Sequence, residues 1–316
     1  MRVALSVDME GVSQICEIRQ VLACCPEYWE SGKSLLEADV SAACEGLLAG
    51  GAVEVLVLDN HGSGNPVNVS QESLPPGARL AVLDLFELAT NGVDAMLQVG
   101  YHARAGIDGF ISHTYVPGLC LRLGDELISE SHGRAWAAEV PLLGIVGSDA
   151  HLRTLGSLAG TPFLVVQETA TRVSMKPAYE APEQGLHAIR TFAERCARDA
   201  GALAAPELPD AATFGATMPN GSEVAELMTS AGWERVGELE YAAELERWRD
   251  ASGLLDAAMG AAFAPLAPDW FDRLTTAEAA AGADREQATR LADSVVAWGS
   301  QSQPEWDGVA RRTAGH

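Results

Sequence analysis

The chain has 316 residues, of which 47% are hydrophobic, and its formal net charge is −23 at pH 7. This length and apolar content suffice for one large domain or two modest ones, and they argue against a disordered chain. The negative charge argues against nucleic acid or an anionic membrane surface as a partner, because phosphate groups are bound by clustered Lys and Arg.

Six cysteines are too sparse in a chain of this length to indicate a disulfide framework, and none shares CxxC spacing. Residues 1–7 are apolar but too short for the hydrophobic part of a signal peptide. No later apolar run approaches the roughly 20 residues that a membrane helix needs. The sequence therefore predicts a soluble, cytoplasmic protein with reduced cysteines.

The first half of the chain alternates short apolar strands with helical segments. Strands rich in Val, Leu and Ile are predicted at Val3–Val7, Val53–Leu58, Ala95–Val99 and Leu142–Val146. A helix is predicted over Tyr28–Leu48, where Gly50 and Gly51 end it. Strand, helix and strand at these lengths predict right-handed βαβ units and a mainly parallel sheet.

After about residue 160 the pattern changes to looser α/β units. The predicted elements are a strand at Phe163–Gln167, a helix over Glu183–Arg198, a strand at Thr213–Thr217, a helix near Glu223–Ser230 and a helix over Ala243–Met259. From about Pro268 the chain is rich in Ala and acidic residues, and a helix is predicted over Thr276–Ser300. We therefore expect an α/β core over residues 1–160, a smaller α/β lobe of the same unit over 161–265 and a helical C-terminal extension over 266–316.

Two carboxylates follow the first predicted strand. Asp8 and Glu10 are two residues apart, so both point to the same side if the extended conformation continues. Two acids at this separation repel each other unless protons or cations lie between them, and a divalent metal is the commonest solution. A helix N-cap or a solvated turn would also explain the pair.

Three histidines occupy similar positions at the ends of hydrophobic runs. His61 follows Val55–Leu58 through Asp59-Asn60, His102 follows Met96–Tyr101, and His113 follows Phe110-Ile111-Ser112. Open α/β sheets gather such strand ends in one crevice. The four remaining histidines are interpreted as solvated or locally hydrogen-bonded: His132, His151, His187 and His316.

Mixed carboxylate and imidazole ligands suit zinc, whereas an all-oxygen set would suit magnesium or calcium. More than three or four candidate ligands make two adjacent metals that share a carboxylate plausible. Such a pair could hold a hydroxide and polarise the carbonyl that the hydroxide attacks. The core over residues 1–160 is thus predicted to bind metal.

The order of these motifs resembles that of the zinc-dependent D-aminopeptidases. The matching segments are Ser6–Gly11, Asp59–Gly62 with Asn65, Gly100–Arg104, Ser112-His113, Glu130, Tyr28–Gly32 and Val140–Leu143. The resemblance extends from residue 1 to about residue 260. It implies a two-zinc aminopeptidase that removes N-terminal D-amino acids from small peptides, on a three-layer α/β/α fold assembled into a homodecameric ring.

The resemblance also implies roles for particular residues. The expected zinc ligands are Asp8, Glu10, His61, His102 and Glu130, with Asp8 bridging the two ions. Glu10 and His102 are expected to complete one site, and His61 and Glu130 the other. The family's Gly-Glu is Ser129-Glu130 here, so Glu126 is a competing choice for the last ligand.

His113 falls where the family has its catalytic histidine. The substrate's amino group would bind one zinc, its scissile carbonyl would bind the other, and a bridging hydroxide would attack. His113 would donate to the developing oxyanion or shuttle a proton.

Two further residues each have two interpretations. Arg104 could orient Glu130 or the substrate, or it could form a surface salt bridge. Lys176 could contact a substrate carboxylate, although solvent exposure is favoured.

Other functions remain open at this point. The same centre could serve an amide or lactam hydrolase with a non-peptide substrate, because loops set the substrate. A peptide-binding carrier without turnover is the non-enzymatic alternative. A two-metal phosphohydrolase is disfavoured, because the sequence has no Gly-rich phosphate cradle or Arg pair near the candidate ligands.

Overall fold

The computed structural model describes residues 1–263 except residues 24, 65–66, 84, 117, 172–173, 203, 207–211 and 219–224. The helix predicted over Thr276–Ser300 and the expected extension over 266–316 lie outside the described residues. Within the described residues, no helix combines the length and the apolar character needed to cross a bilayer.

The α-helices separate single strands or runs of consecutive strands along the chain. The strands are β1 (Arg2–Val7), β2 (Glu54–Asp59), β3 (Ala78–Leu80), β4 (Ala95–Tyr101), β5 (Cys120–Leu123), β6 (Glu126–Leu127), β7 (Leu142–Ser148), β8 (Phe163–Thr171), β9 (Ser174–Pro177), β10 (Ala212–Thr217), β11 (Glu234–Arg235) and β12 (Glu240–Leu245). The helices are α1 (Pro26–Ala49), α2 (Glu130–Ala138), α3 (Asp149–Leu152), α4 (Pro182–Arg198), α5 (Ala225–Ser230) and α6 (Ser252–Phe263).

The larger sheet has seven strands in the order β3-β2-β1-β4-β7-β8-β9. Its neighbours are parallel except for β9, which runs antiparallel to β8 at the edge. Strand β1 lies between β2 and β4 and pairs with both. The predicted, mainly parallel sheet is confirmed.

Successive side chains of β1 point to opposite faces of the sheet and pack in two separate hydrophobic cores. Val3, Leu5 and Val7 pack on one face with α1 and α4, whereas Ala4 packs on the other face with residues of α2. Successive residues of a strand point to opposite faces, so a strand covered on both sides is apolar throughout. The α/β class expected from the sequence is confirmed.

A second sheet has five antiparallel strands in the order β11-β12-β10-β5-β6. Its core includes Phe214, Trp233 and Trp248, together with side chains of α6. Helix α2 lies between the two sheets, because Ala135 packs in the core of the larger sheet and Trp136 in the core of the smaller one. Helix α2 therefore packs against both sheets.

Both sheets take strands from either side of residue 160. Strands β8 and β9 complete the larger sheet, although they lie beyond that residue, and β5 and β6 belong to the smaller sheet, although they precede it. Sheet membership therefore does not follow the expected division at residue 160. A division of the chain into domains stays a prediction.

The helix predicted over Ala243–Met259 is wrong in its first half. Residues 240–245 form β12, which pairs with β10 from Thr217↔Glu240 to Ala212↔Leu245. Tyr241 and Leu245 are both buried, and a spacing of four residues places two side chains on one face of a helix or of a strand. Because these residues pair with β10, they form a strand, and helix α6 begins only at Ser252.

Candidate metal centre

Four candidate ligands lie just beyond the carboxyl ends of three adjacent strands. Asp8 and Glu10 follow β1, His61 follows β2, and His102 follows β4. Strands β2, β1 and β4 are neighbours in the parallel sheet, so their carboxyl ends open into one crevice. The chain turns at Met9–Gly11 instead of continuing extended, yet the carboxylates of Asp8 and Glu10 both approach His61.

Two further side chains join this group from outside the strand ends. Glu130 is the first residue of α2, and His113 lies in the loop between β4 and β5. The imidazole rings of His102 and His113 stack with their centroids 4.2 Å apart and an interplanar angle of 11°. His113 Nε2 lies 3.7 Å from Glu130 Oε1. All six residues named from the sequence therefore come together.

The contacts divide the ligands into two groups that share Asp8. His61 Nδ1 lies 3.3 Å from Asp8 Oδ1 and 3.2 Å from Glu10 Oε2. His102 Nε2 lies 3.4 Å from Asp8 Oδ2 and 3.6 Å from Glu130 Oε1. In each group, one potential ligand atom per residue lies within 4.8 Å of the others.

A third such group joins Glu10, His102 and His113. The shortest contacts nevertheless pair Glu10 with His61 and His102 with Glu130. They favour a division of the ligands that differs from the one expected from the sequence.

Each imidazole is fixed by a backbone carbonyl at the nitrogen that faces away from the carboxylates. His61 Nε2 lies 2.8 Å from the Val21 carbonyl oxygen. His102 Nδ1 lies 3.0 Å from that of Ala103, and His113 Nδ1 lies 2.6 Å from that of Ile111. A ring nitrogen that donates to a carbonyl carries the proton, so in the neutral imidazole the opposite nitrogen presents a lone pair to the cluster.

The backbone on both sides of His113 is strained. Ile111 has φ 33° and Tyr115 has φ 61°, in the left-handed region that residues other than glycine rarely adopt. Such conformations persist where the surrounding structure imposes them, and they concentrate at functional sites. The strain accompanies two contacts that shape the site: the Ile111 carbonyl fixes His113, and the Tyr115 N–H donates to Glu130 Oε1 at 2.7 Å.

Two glycines allow the ends of β1 and β4 to touch. Gly100 has φ 81°, and a Cβ atom there would lie 1.9 Å from the Asp8 carbonyl oxygen. A Cβ atom on Gly11 would lie 2.2 Å from the Tyr101 carbonyl oxygen. The Gly11 N–H donates to the Gly100 carbonyl at 2.7 Å, so the backbones of Asp8–Gly11 and Gly100–His102 are bound together.

The charges of these groups depend strongly on one another. Burial alone would raise the pKa of Asp8 and of Glu130, but their contacts with His61 and His102 lower both values. Burial alone would lower the pKa of His61 and of His102, but the surrounding carboxylates raise both. The cluster therefore attracts positive charge, which either protons or metal cations can supply.

Three buried atoms in the cluster have no hydrogen-bond partner among the described residues: Asp8 Oδ2, Glu10 Oε2 and His102 Nε2. Leaving buried polar atoms unpaired is costly unless a ligand satisfies them. The convergence of carboxylate oxygens and an imidazole nitrogen is the donor set that zinc prefers. The residues present therefore fit a metal centre.

The competing candidates from the sequence lie elsewhere. Glu126 Oε1 lies 3.2 Å from His132 Nε2 and accepts the Ser157 N–H, so its carboxylate has partners outside the cluster. Lys176 is exposed on β9, and Arg104 is half-buried with a hydrogen bond to the Ala105 carbonyl.

The described members of the remaining histidines match their interpretation as solvated or locally hydrogen-bonded residues. His132 and His151 are fully buried, and each has a local hydrogen-bond partner, Ser129 for His132 and Thr154 for His151. His187 is exposed. His316 lies outside the described residues.

The carbonyls of Val21 and Ile111 and the N–H of Tyr115 were not recognised from the sequence. Backbone groups are present at every residue, so no residue type marks them. The strained φ values at Ile111 and Tyr115 are visible only in the folded chain.

Comparisons with known proteins agree with this geometry. A sequence model of the peptidase family M55, described as D-aminopeptidase, matches residues 1–257. A D-aminopeptidase of Bacillus subtilis (strain 168) is 29% identical over 186 residues, which are 56% of this chain and 67% of that protein.

Among solved structures, the Zn-dependent D-aminopeptidase DppA from Bacillus subtilis, described as a self-compartmentalizing protease, superposes with a TM-score of 0.74. It is 23% identical, and the match covers 83% of this chain and 98% of that one, which supports the same fold. Because the family model spans residues 1–257, this chain belongs to the D-aminopeptidase family of peptidases, and the predicted amide-bond hydrolase is confirmed.

Proposed function

We propose that this chain is a two-zinc aminopeptidase that hydrolyses the N-terminal amide bond of small peptides or amides containing D-amino acids. Family membership supports the reaction, and the named structural relative is Zn-dependent. The main supporting observation is that Asp8 belongs to two separate ligand groups. A carboxylate shared in this way can bridge two adjacent cations.

In this proposal, Asp8, Glu10 and His61 hold one zinc, and Asp8, His102 and Glu130 hold the other. The contacts to backbone carbonyls orient the imidazoles of His61 and His102 for this role. Glu130 is preferred to Glu126, because the latter already pairs with His132. When bound, the zinc ions would polarise the scissile carbonyl and lower the pKa of water.

We assign proton transfer to His113. Its Nδ1 is bound to the Ile111 carbonyl, so Nε2 of the neutral ring faces the cluster as a proton acceptor. The imidazole would take a proton from the attacking water and pass it to the nitrogen of the leaving group. Of the two roles considered from the sequence, this geometry supports the proton shuttle over donation to an oxyanion.

Matched D- and L-alanine amides and cyclic amides would test the substrate class. We expect zinc-loaded enzyme to release ammonia from the D-amide faster than from the L-amide, and chelation to abolish both activities. Activity confined to cyclic amides would contradict the aminopeptidase proposal and favour a lactam hydrolase. Peptide binding that survives chelation, without turnover in the loaded enzyme, would favour a carrier.

We also propose that the chain assembles into a homo-oligomer, with a decameric ring as the expected form. The supporting observation is that the structural relative is described as self-compartmentalizing. Light scattering would test the proposal through the mass of the assembly. A cytoplasmic location stays a prediction from the sequence.

A further inference from the structure

A cavity of about 190 Å³ lies beside α2, on the side of the smaller sheet. The aromatic side chains of Tyr115 and Trp248 line it, and Leu255 and Met259 of α6 add apolar surface. Arg134 of α2 supplies a positive charge to the wall, and Asp256 lies at the exposed rim. The cavity can therefore hold a small ligand with an apolar body and a negative group at the Arg134 end.

Arg134 forms no direct ion pair in the part of the chain that the structure describes, although the carboxylates of Glu130 and Asp8 favour its charge from a longer distance. Its Nε atom is buried and has no hydrogen-bond partner. The guanidinium carbon lies 5.6 Å from the centroid of the Tyr115 ring, which accommodates the cation but accepts no conventional hydrogen bond. A planar guanidinium binds a carboxylate through two parallel hydrogen bonds, so a carboxylate is the ligand group that fits it best.

The cavity adjoins the candidate metal centre through α2 and Tyr115. Arg134 lies four residues after Glu130, so the two side chains share one face of the helix at about 6 Å along its axis. Tyr115, in the cavity wall, donates its N–H to Glu130 Oε1 at 2.7 Å and follows His113 by two residues. An extended peptide covers about 3.3–3.6 Å per residue, so one or two residues span this interval.

We propose that Arg134 binds the free C-terminal carboxylate of a short peptide substrate whose N-terminal amide bond lies at the metal centre. The inference rests on the proposed function and names its substrate class as peptides of two or three residues with a free carboxyl end. The apolar wall takes the C-terminal side chain. Peptide amides lack the negative charge and bind more weakly.

Kinetics with a D-alanyl dipeptide and its C-terminal amide test this specificity. Arg134→Met keeps the apolar stem against Tyr115, and we expect it to raise KM for the dipeptide acid by about 10- to 100-fold. The KM of the dipeptide amide should change by less than about 2-fold, and Arg134→Lys should restore part of the loss. Arg249→Met is the matched control, because Arg249 is an exposed arginine of the same region that pairs with Glu139.

Calorimetry on the full-length, metal-loaded protein gives a readout that needs no turnover. The probes are a dipeptide in which CH₂–NH replaces the amide bond, as the free acid and as the C-terminal amide. We expect the acid to bind the wild type more tightly than the amide, and Arg134→Met to remove this difference. Equal affinity of the two probes for the wild type, or equal weakening of both by the substitution, would overturn the proposal.

The two experiments also separate this inference from the proposed function. If the wild type hydrolyses neither dipeptide while binding of the acid probe depends on Arg134, the aminopeptidase proposal fails and the carboxylate site stands. If both dipeptides are hydrolysed and Arg134→Met affects neither, the carboxylate site fails and the aminopeptidase proposal stands.

Discussion

His113 is the residue that most directly links the geometry of the cluster to proton transfer. Its ring is fixed by the Ile111 carbonyl and stacks on His102, while its Nε2 faces Glu130. We expect His113→Gln to lower kcat by about 10²- to 10⁴-fold, the usual effect of losing a general acid or base, while the zinc content stays unchanged. Steady-state kinetics and elemental analysis on one preparation check both parts.

His187→Gln is the control, because His187 is an exposed histidine on α4. A His113→Gln enzyme with full zinc content and near-normal kcat would remove His113 from the mechanism. A variant that loses zinc would instead indicate that the contact with His102 supports the ligands.

Asp39 gives the stability of the fold a pH dependence that is separate from the cluster. This fully buried carboxyl of α1 accepts the N–H and the hydroxyl of Ser13, each at 2.7 Å. Burial raises its pKa from 3.8 to about 6, so the folded protein holds this proton more tightly than the unfolded chain. The resulting stabilisation is present below about pH 4 and is lost as the pH rises through about 6.

Asp39→Asn removes this titration and keeps the shape of the side chain. Between about pH 4.5 and about pH 7.5, we expect the free energy of unfolding of the wild type to fall by about 2 kcal/mol relative to the variant. Urea unfolding monitored by tryptophan fluorescence measures the difference at each pH. A difference that stays constant with pH would show that Asp39 has an ordinary pKa.

At the scale of elements, the contact between the ends of β1 and β4 positions the ligands. Gly100→Ala places a methyl group 1.9 Å from the Asp8 carbonyl oxygen, at a backbone angle unfavourable for alanine. We expect a loss of more than about 3 kcal/mol in stability together with weaker zinc binding, because Asp8 or His102 must shift. Thermal unfolding and zinc titration check the two effects.

Gly51→Ala is the matched control for that variant. Gly51 has φ 107°, and a Cβ atom there would have no atom of the described part of the chain within 4 Å. Its substitution should therefore show only the backbone cost, about 1 kcal/mol, with unchanged zinc binding. Equal effects of the two substitutions would mean that the close approach of β1 and β4 does not matter.

The elements of the larger sheet could be predicted because burial on both faces makes each parallel strand a continuous apolar run. The strand predicted at Val3–Val7 was observed at Arg2–Val7, and the helix predicted over Tyr28–Leu48 at Pro26–Ala49. The strands of the smaller sheet were harder to predict from the sequence. Its strands β5 and β6 are short, and the register of β12 depends on pairing with β10, which no local pattern reveals.

The site was predictable to a similar degree. Ligand side chains at strand ends have a sequence signal, and the parallel order of β2, β1 and β4 brings them together. Which histidine faces which carboxylate depends on backbone carbonyls such as those of Val21 and Ala103, and on rotamers. These are tertiary features, so the division of ligands expected from the sequence differed from the observed contacts.

At the scale of the whole molecule, α2 joins the two sheets and begins at the metal centre. Ala135 and Ala138 pack in the core of the larger sheet, Trp136 and Ala137 pack in that of the smaller one, and Glu130 reaches the cluster. Motion of the smaller sheet relative to the larger one would therefore displace a proposed ligand. This arrangement ties the cavity beside Arg134 to the centre that it is proposed to serve.

Zinc stoichiometry tests the central claim, which is that Asp8 is shared between two cation sites. Elemental analysis should find two zinc ions per chain in the wild type and in Glu168→Ala, a control at an exposed acidic residue of β8. We expect His61→Gln and His102→Gln each to lose one ion, and Asp8→Ala to lose both. Full retention of two zinc ions by Asp8→Ala would contradict the account.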